Sequence, residues 1–184
     1  MVKKYSMIQK PQPHEYDPYY QYFIDLVEGD DLIQILENTH SATHKLIRNV
    51  PSEKLDYRYA EGKWNIREVL VHLIDAERIF CYRALRFARQ DKTDLPGFEQ
   101  DDYIVPSNAA TRSIDSISQE LAAVRRATIM LFQNFDDTMM SQIGTANGTP
   151  MSVKALSFAI AGHELHHCKI IRERYLDDAY VHTS

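Results

Sequence analysis

His163 and His167 stand four residues apart in the run Gly162-His163-Glu164-Leu165-His166-His167-Cys168. On an α-helix, residues at i and i+4 share a face, so both imidazoles can reach one point. Val153, Leu156, Ile160, His163, His167 and Ile170 follow one another at spacings of 3, 4, 3, 4 and 3, the seam of a helix packed into a bundle. Both histidines thus occupy positions that aliphatic side chains hold elsewhere on the stripe. An unpaired buried polar group costs about 1–3 kcal/mol, so two inward-pointing imidazoles need a partner. A bound metal ion would be one.

Two ligands hold a metal loosely, and the chain has six further histidines, at 14, 40, 44, 72, 166 and 182. His14 and His182 fall in the terminal segments. His72 shares a helical face with Val69, Ala76 and Ile79, a face expected to point inward, and is the expected third ligand. Three neutral imidazoles leave a divalent ion its full +2 charge and an open position, as catalytic zinc sites do. The plainer alternative is a core histidine satisfied by hydrogen bonds. His40 and His44 repeat the i, i+4 spacing, but Glu37 and Lys45 beside them suit a solvated edge. His166 lies on another face, in line with Ala155, Ala159 and Gly162, and reads as an edge residue beside the site. That row of small residues permits close helix contact, and Cys168 reads as a buried thiol without a metal role.

Two other chemistries share these residues. His163-Glu164-Leu165-His166-His167 matches HExxH, the zincin pattern with glutamate as general base. A di-iron bundle needs two Glu-x-x-His pairs and two further glutamates; Glu37-x-x-His40 and Glu164-x-x-His167 supply the pairs, with Glu77 and Glu120 available. Its pairs would sit on the first and last long helices, an order that disagrees with the di-iron pattern.

The elements that must position these groups are helices. Asp17 with Pro18 opens a short helix to about Val27, stopped by Gly29. Asp31 and Gln34 resemble a capping box for a first long helix to about Val50, with Leu32, Leu36, Leu46 and Val50 apolar and Thr39 and Thr43 between them. Asn65 and Glu68 form a second box, opening a helix to about Arg89, onto which Trp64 can staple at Val69. Residues 91–110 carry Pro96, Gly97 and Pro106 without periodicity and read as a long crossover; such loops often help to form sites. Ile114, Ile117, Leu121, Val124, Leu131 and Phe135 place a third helix at 112–135, with Thr128 at the missing step. Gly144, Gly148 and Pro150 mark a connection before the histidine helix, from about Ser152 to Leu176. No segment alternates strictly over a strand length. An all-α four-helix bundle with one long crossover and a short N-terminal helix is the economical reading, as an N-terminal tail (1–16), a single domain (17–177) and a C-terminal tail (178–184).

Composition narrows the function classes. The chain has 184 residues, and its 21 Lys+Arg against 26 Asp+Glu give a net charge of -5. A nucleic-acid binder usually shows a basic stripe; no basic run here is longer than Arg125-Arg126. No apolar run approaches the roughly 20 residues that span a bilayer, and Lys3 and Lys4 precede no apolar segment, so neither a membrane partner nor a signal peptide is expected. The two cysteines, Cys81 and Cys168, suit a reducing compartment, so a cytoplasmic protein is expected.

Two segments resemble a known family. Lys63-Trp64-Asn65-Ile66-Arg67-Glu68-Val69-Leu70-Val71-His72-Leu73-Ile74-Asp75-Ala76-Glu77 resembles the second-helix signature of the DinB-like family, and Ala161-Gly162-His163-Glu164-Leu165-His166-His167 its last-helix signature. The resemblance covers about residues 15–177. It has Asn65 where serine is commoner, an exchange between two good N-caps. It implies a bundle in up-down-down-up order and a divalent ion held by His72, His163 and His167. Imidazole suits zinc, nickel, copper and iron alike; zinc and nickel lead the expectation, with iron behind them. The family includes transferases and isomerases that use low-molecular-weight thiols, and its members are often homodimers. The expected function is a metal-dependent transferase using such a thiol or a hydrolase of a small substrate. The alternative is a non-catalytic, metal-stabilised binding or interaction module. No general acid or base is readable: Glu164, Asp75 and Glu77 stand near the ligands in sequence but suit caps, salt bridges or surface equally.

Overall fold

The structure, a computed structural model, describes residues 8–176. A short helix α1 (Gln21–Asp25) precedes two long ones, α2 (Leu32–Asn49) and α3 (Ile66–Ala88). A short α4 (Gln100–Ile104) lies within the crossover to α5 (Ile114–Gln133). A short α6 (Asp137–Met140) and antiparallel strands β1 (Ile143–Ala146) and β2 (Thr149–Ser152) lead to α7 (Val153–Arg174). Among the described residues, no helix is long and apolar enough to cross a membrane.

Pairs of touching residues fix the helix directions. Between α3 and α5, Arg78 meets Glu120 and Cys81 meets Thr128; numbers rise together, so the two run parallel. Between α2 and α5, Thr39 meets Arg125 and His44 meets Ser118, hence antiparallel. Thr43 meets Cys168, beside the level at which Thr39 and Glu164 share Arg125, so α2 and α7 run parallel. The order is up-down-down-up, and the parallel neighbours α3 and α5 are what require the long crossover.

Local chemistry explains the boundaries. The Asn65–Glu68 box closes in both directions: Asn65 Oδ1 accepts from the Glu68 amide at 3.0 Å, and Glu68 Oε2 accepts from the Asn65 amide at 2.8 Å. At α2 the box stays half-formed, because Asp31 caps the Gln34 amide while the Gln34 side chain donates to Asn38 instead. Ser113 and Ser152 cap α5 and α7. Thr39 and Thr43 are buried on the α2 stripe, each hydroxyl donating to a backbone carbonyl of the preceding turn. On α5 the stripe ends on Phe132, with Leu131 only half-buried.

Two features depart from the expectations. The connection before α7 is a β-hairpin, turned at Asn147 (φ 54°) and Gly148 (φ 73°), the left-handed pair a type I′ turn demands. The crossover joins it: the Leu95 amide donates to Thr145 O at 3.0 Å, and the Asn147 amide to Leu95 O at 2.9 Å. The expected C-terminal tail and residues 1–7 lie outside the described residues. Residues 8–16 pack on the bundle, with a 3-10 turn at Pro13–Glu15 and buried Glu15 paired with Lys154 at 3.1 Å.

Candidate metal centre

His72 projects from the second turn of α3, and His163 and His167 from successive turns of α7, which runs alongside it. His163 Nε2 stands 3.0 Å from His72 Nε2 and 3.1 Å from His167 Nε2, and one nitrogen from each ring lies within 4.8 Å of the others. Aromatic rings back the cluster: Trp64 at 4.8 Å from His72, Phe23 at 5.5 Å and Phe80 at 6.2 Å from His163, centroid to centroid. Gly162 sets the depth of this packing. A Cβ there would overlap the Phe23 carbonyl, so its absence lets α1 lie directly on α7.

An imidazole nitrogen carries either one N–H or one lone pair. The single site on His163 Nε2 therefore cannot satisfy both neighbours that approach it. Burial, and then the neighbouring imidazoles, hold the three rings neutral: His72 is lowered to about 4 by burial, His167 to about 3, and His163 well below its ordinary value. Three neutral lone pairs turned toward one point could hold a divalent cation. In a tetrahedral site with bonds of about 2.0–2.1 Å, ligand nitrogens stand roughly 3.3 Å apart, close to the 3.0 and 3.1 Å of the two pairs that His163 makes.

Two cavities flank the cluster. One of about 450 Å³ is lined by His72 and His163 together with Phe23, Phe80, Arg83 and Phe98. The other, about 330 Å³, is lined by His166, His167, Trp64 and Tyr175. Gln100 and Asp101 of α4 line both. The crossover thus covers the cluster, and a ligand in either cavity would lie against a histidine.

Deeper in the bundle sits a group that the sequence analysis missed. Arg125, 1% exposed in its side chain, pairs with Glu77 at 2.8 Å and Glu164 at 2.8 Å, and donates to Leu36 O and Thr39 Oγ1. Burial alone would lower its pKa, but the two carboxylates outweigh that and raise it. Four helices meet on this one guanidinium. The contacts also dispose of both rival chemistries. Glu164 is turned to Arg125 and 2% exposed, so it is no general base at the histidines. With Glu77 likewise engaged, and Glu120 bridging Arg78 and Arg112, the di-iron carboxylates are spoken for.

The remaining candidates are engaged elsewhere, except His166, whose ring lies 5.0 Å from that of His167. His40 and His44 stack at 4.5 Å between centroids; His44 meets Ser118 at 3.2 Å, and burial lowers His40 to about 4. Both are half-buried rather than solvated. His166 packs on Tyr22 and Phe23 at 5.5 and 5.4 Å. Cys168 is buried against Thr43 at 3.1 Å, and burial pushes its thiol up to about 12. Asp75 is half-buried, with Arg78 at 3.9 Å.

With the fold and this cluster in view, comparison with known proteins is direct. The model of the DinB superfamily matches residues 35–171. The chain belongs to the DinB superfamily. A protein of Oceanobacillus iheyensis, named as a candidate metal-dependent hydrolase, is 24% identical over 153 residues, which cover 78% of this chain and 84% of that one. YfiT from Bacillus subtilis, described as a candidate metal-dependent hydrolase with an unusual four-helix bundle topology, superposes with a TM-score of 0.69. That match covers 90% of this chain and 91% of YfiT at 16% identity, and it shows a shared fold.

Proposed function

We propose that this DinB-superfamily protein is a divalent-metal-dependent hydrolase of a small molecule, with His72, His163 and His167 as the ligands. The observation that carries the reading is the convergence of three neutral imidazoles beside an open cavity. A purely structural site would be closed, with four protein ligands; this one has three, and cavities on two sides. The names of the relatives support the same class. When bound, the ion would supply Lewis acidity, polarising a carbonyl and lowering the pKa of bound water to about 7.

The chain's own residues supply the rest. Trp64 and Phe80 hold the rings of His72 and His163 and keep bulk water from them. Asp101 is the carboxylate that lines both cavities among the described residues, and it is the general base of this reading. A second reading, transfer to a low-molecular-weight thiol, is favoured by one observation: the separate cavity at His167 gives a second small molecule its own place.

Element analysis of protein purified without added metal tests the ligand set. Wild type should carry close to one divalent ion per chain, His163→Ala and His167→Ala should lose most of it, and His40→Ala should keep it. Equal loss in His40→Ala and His167→Ala would overturn the assignment. Loaded wild type should hydrolyse members of an ester and amide panel, and Asp101→Asn should slow this about 10²–10⁴-fold with the metal retained. If a panel of cellular thiols reacts instead and no ester or amide turns over, the transferase reading takes its place.

A further inference from the structure

The larger cavity holds a charge that the metal reading does not use. His72, Ala76, Phe80 and Arg83 line it from one stripe of α3. Arg83 is 4% exposed. Its Nη2 donates to Pro96 O at 3.0 Å, and it stands over the Phe98 ring at 5.9 Å. That acceptor is neutral. Among the described residues, no carboxylate lies within ion-pair distance of it. Arg125, equally buried, has two. Buried charges are ordinarily paired, and a guanidinium has five N–H donors, so Arg83 keeps donors for a guest in the cavity.

We propose that Arg83 anchors a carboxylate at the far end of the substrate from the histidines. Eleven residues of α3 separate His72 from Arg83, about 16 Å along the helix axis. Helical side chains lean toward the N-terminus, so the guanidinium reaches back along the cavity toward His72. Phe80 and Phe23 line the same cavity beside His163, and Tyr20 packs on Phe80. The guest that fits is elongated, with a carboxylate in the planar Arg83 fork, an apolar or aromatic middle, and its reactive group at the triad. The rim narrows the class further. Glu99 and Asp101 are exposed and Asp17 is half-buried; water and salt screen them from a single negative charge, but they disfavour a dianion. A monocarboxylate is thereby preferred over a phosphate monoester. The position of the reactive end rests on the metal reading, whereas the anion subsite does not.

Calorimetry on the full-length, metal-free protein at pH 7.5 tests the subsite with 4-phenylbutyrate, its neutral primary amide and 3-phenylpropylphosphonate. Wild type should bind the carboxylate at least tenfold more tightly than the amide and more tightly than the phosphonate. His167→Ala should keep that preference. Arg83→Met should lose it, and Arg83→Lys, which keeps the charge but not the fork, should retain a reduced one. Equal binding of acid and amide by wild type, binding of neither, tighter phosphonate binding, or an unchanged preference in a folded Arg83→Met protein would each overturn the proposal. Should Arg83→Met fail to fold, the wild-type ligand comparison and Arg83→Lys still decide. Because no metal is present, failure here leaves the ligand assignment standing, and failure of the metal stoichiometry leaves this preference standing.

Discussion

Helices α3 and α7 each contribute to two buried polar clusters, and the clusters are built on opposite principles. Around Arg125, Glu77 and Glu164 answer the cation, and its Nη1 also donates to a backbone and a hydroxyl oxygen. Around His163, three nitrogens of one kind face each other with nothing among the described side chains to answer them. Glu164 and His163 are adjacent in sequence, yet they belong to different clusters because neighbouring helical positions point about 100° apart. The first cluster answers its cation from within the chain and serves the fold, with Glu164 Oε1 left buried without a hydrogen-bond partner. The second is complementary to something outside the chain, and that difference separates a structural polar core from a site.

Removing the cation from the Arg125 cluster should have the largest effect. Arg125→Met leaves Glu77 and Glu164 buried without their cation, which should destabilise the protein by about 3–5 kcal/mol, read as a fall in the urea midpoint. A loss under 1 kcal/mol would show that the carboxylates find other partners and that the contrast is overstated.

The histidine cluster should behave the other way. Metal that binds only the folded state adds about 2.7 kcal/mol at a hundredfold excess over Kd, raising Tm by roughly 5–10 °C for a chain of this size. Metal-free His167→Ala should melt close to metal-free wild type and gain nothing from added metal. An unfolded metal-free wild type would instead make the ion part of the fold, and favour the non-catalytic module.

The smallest effect sharpens the contrast through pH. Burial lowers His72 to about 4 and His167 to about 3, below the ordinary histidine value near 6.5. Between those values the unfolded chain binds protons that the folded chain refuses, so stability falls as pH falls. Metal-free wild type should be unaffected above pH 6.5 and lose stability progressively from there toward pH 4. His72→Ala and His167→Ala should each flatten that slope in urea melts at pH 7.5, 6 and 5; an unchanged slope in both would place the effect elsewhere.

Much of this was legible in the residues. The seam of α7 places His163 and His167 on one face, and the Asn65–Glu68 box sets the phase of α3 that turns His72 inward. What periodicity conceals is charge on the apolar side. Ile117, Leu121, Arg125, Thr128 and Phe132 form the buried stripe of α5, and Glu164 falls between Ile160 and Cys168 on α7. An arginine on one such stripe and glutamates on two others are the signal of an internal ion cluster. Each charge read alone resembles surface. The hairpin escaped because strands of four residues are too short for alternation to register, although Asn147-Gly148 is itself a strong turn signal. The roof formed by α4 depends on how the crossover lies across the cavities, which no local pattern carries.

Gly162 has a consequence for how the pocket can diversify. It lets the Phe23 backbone carbonyl of α1 lie against α7, while the Phe23 ring packs on His163 and His166. A methyl group at 162 would push the whole segment outward. Tyr19 and Tyr20, which line the larger cavity and stack on Phe23 and Phe80 rather than on the histidines, can be exchanged while the histidine framework stays where it is. Substrate preference can drift on one wall, and the other wall keeps the chemistry constant.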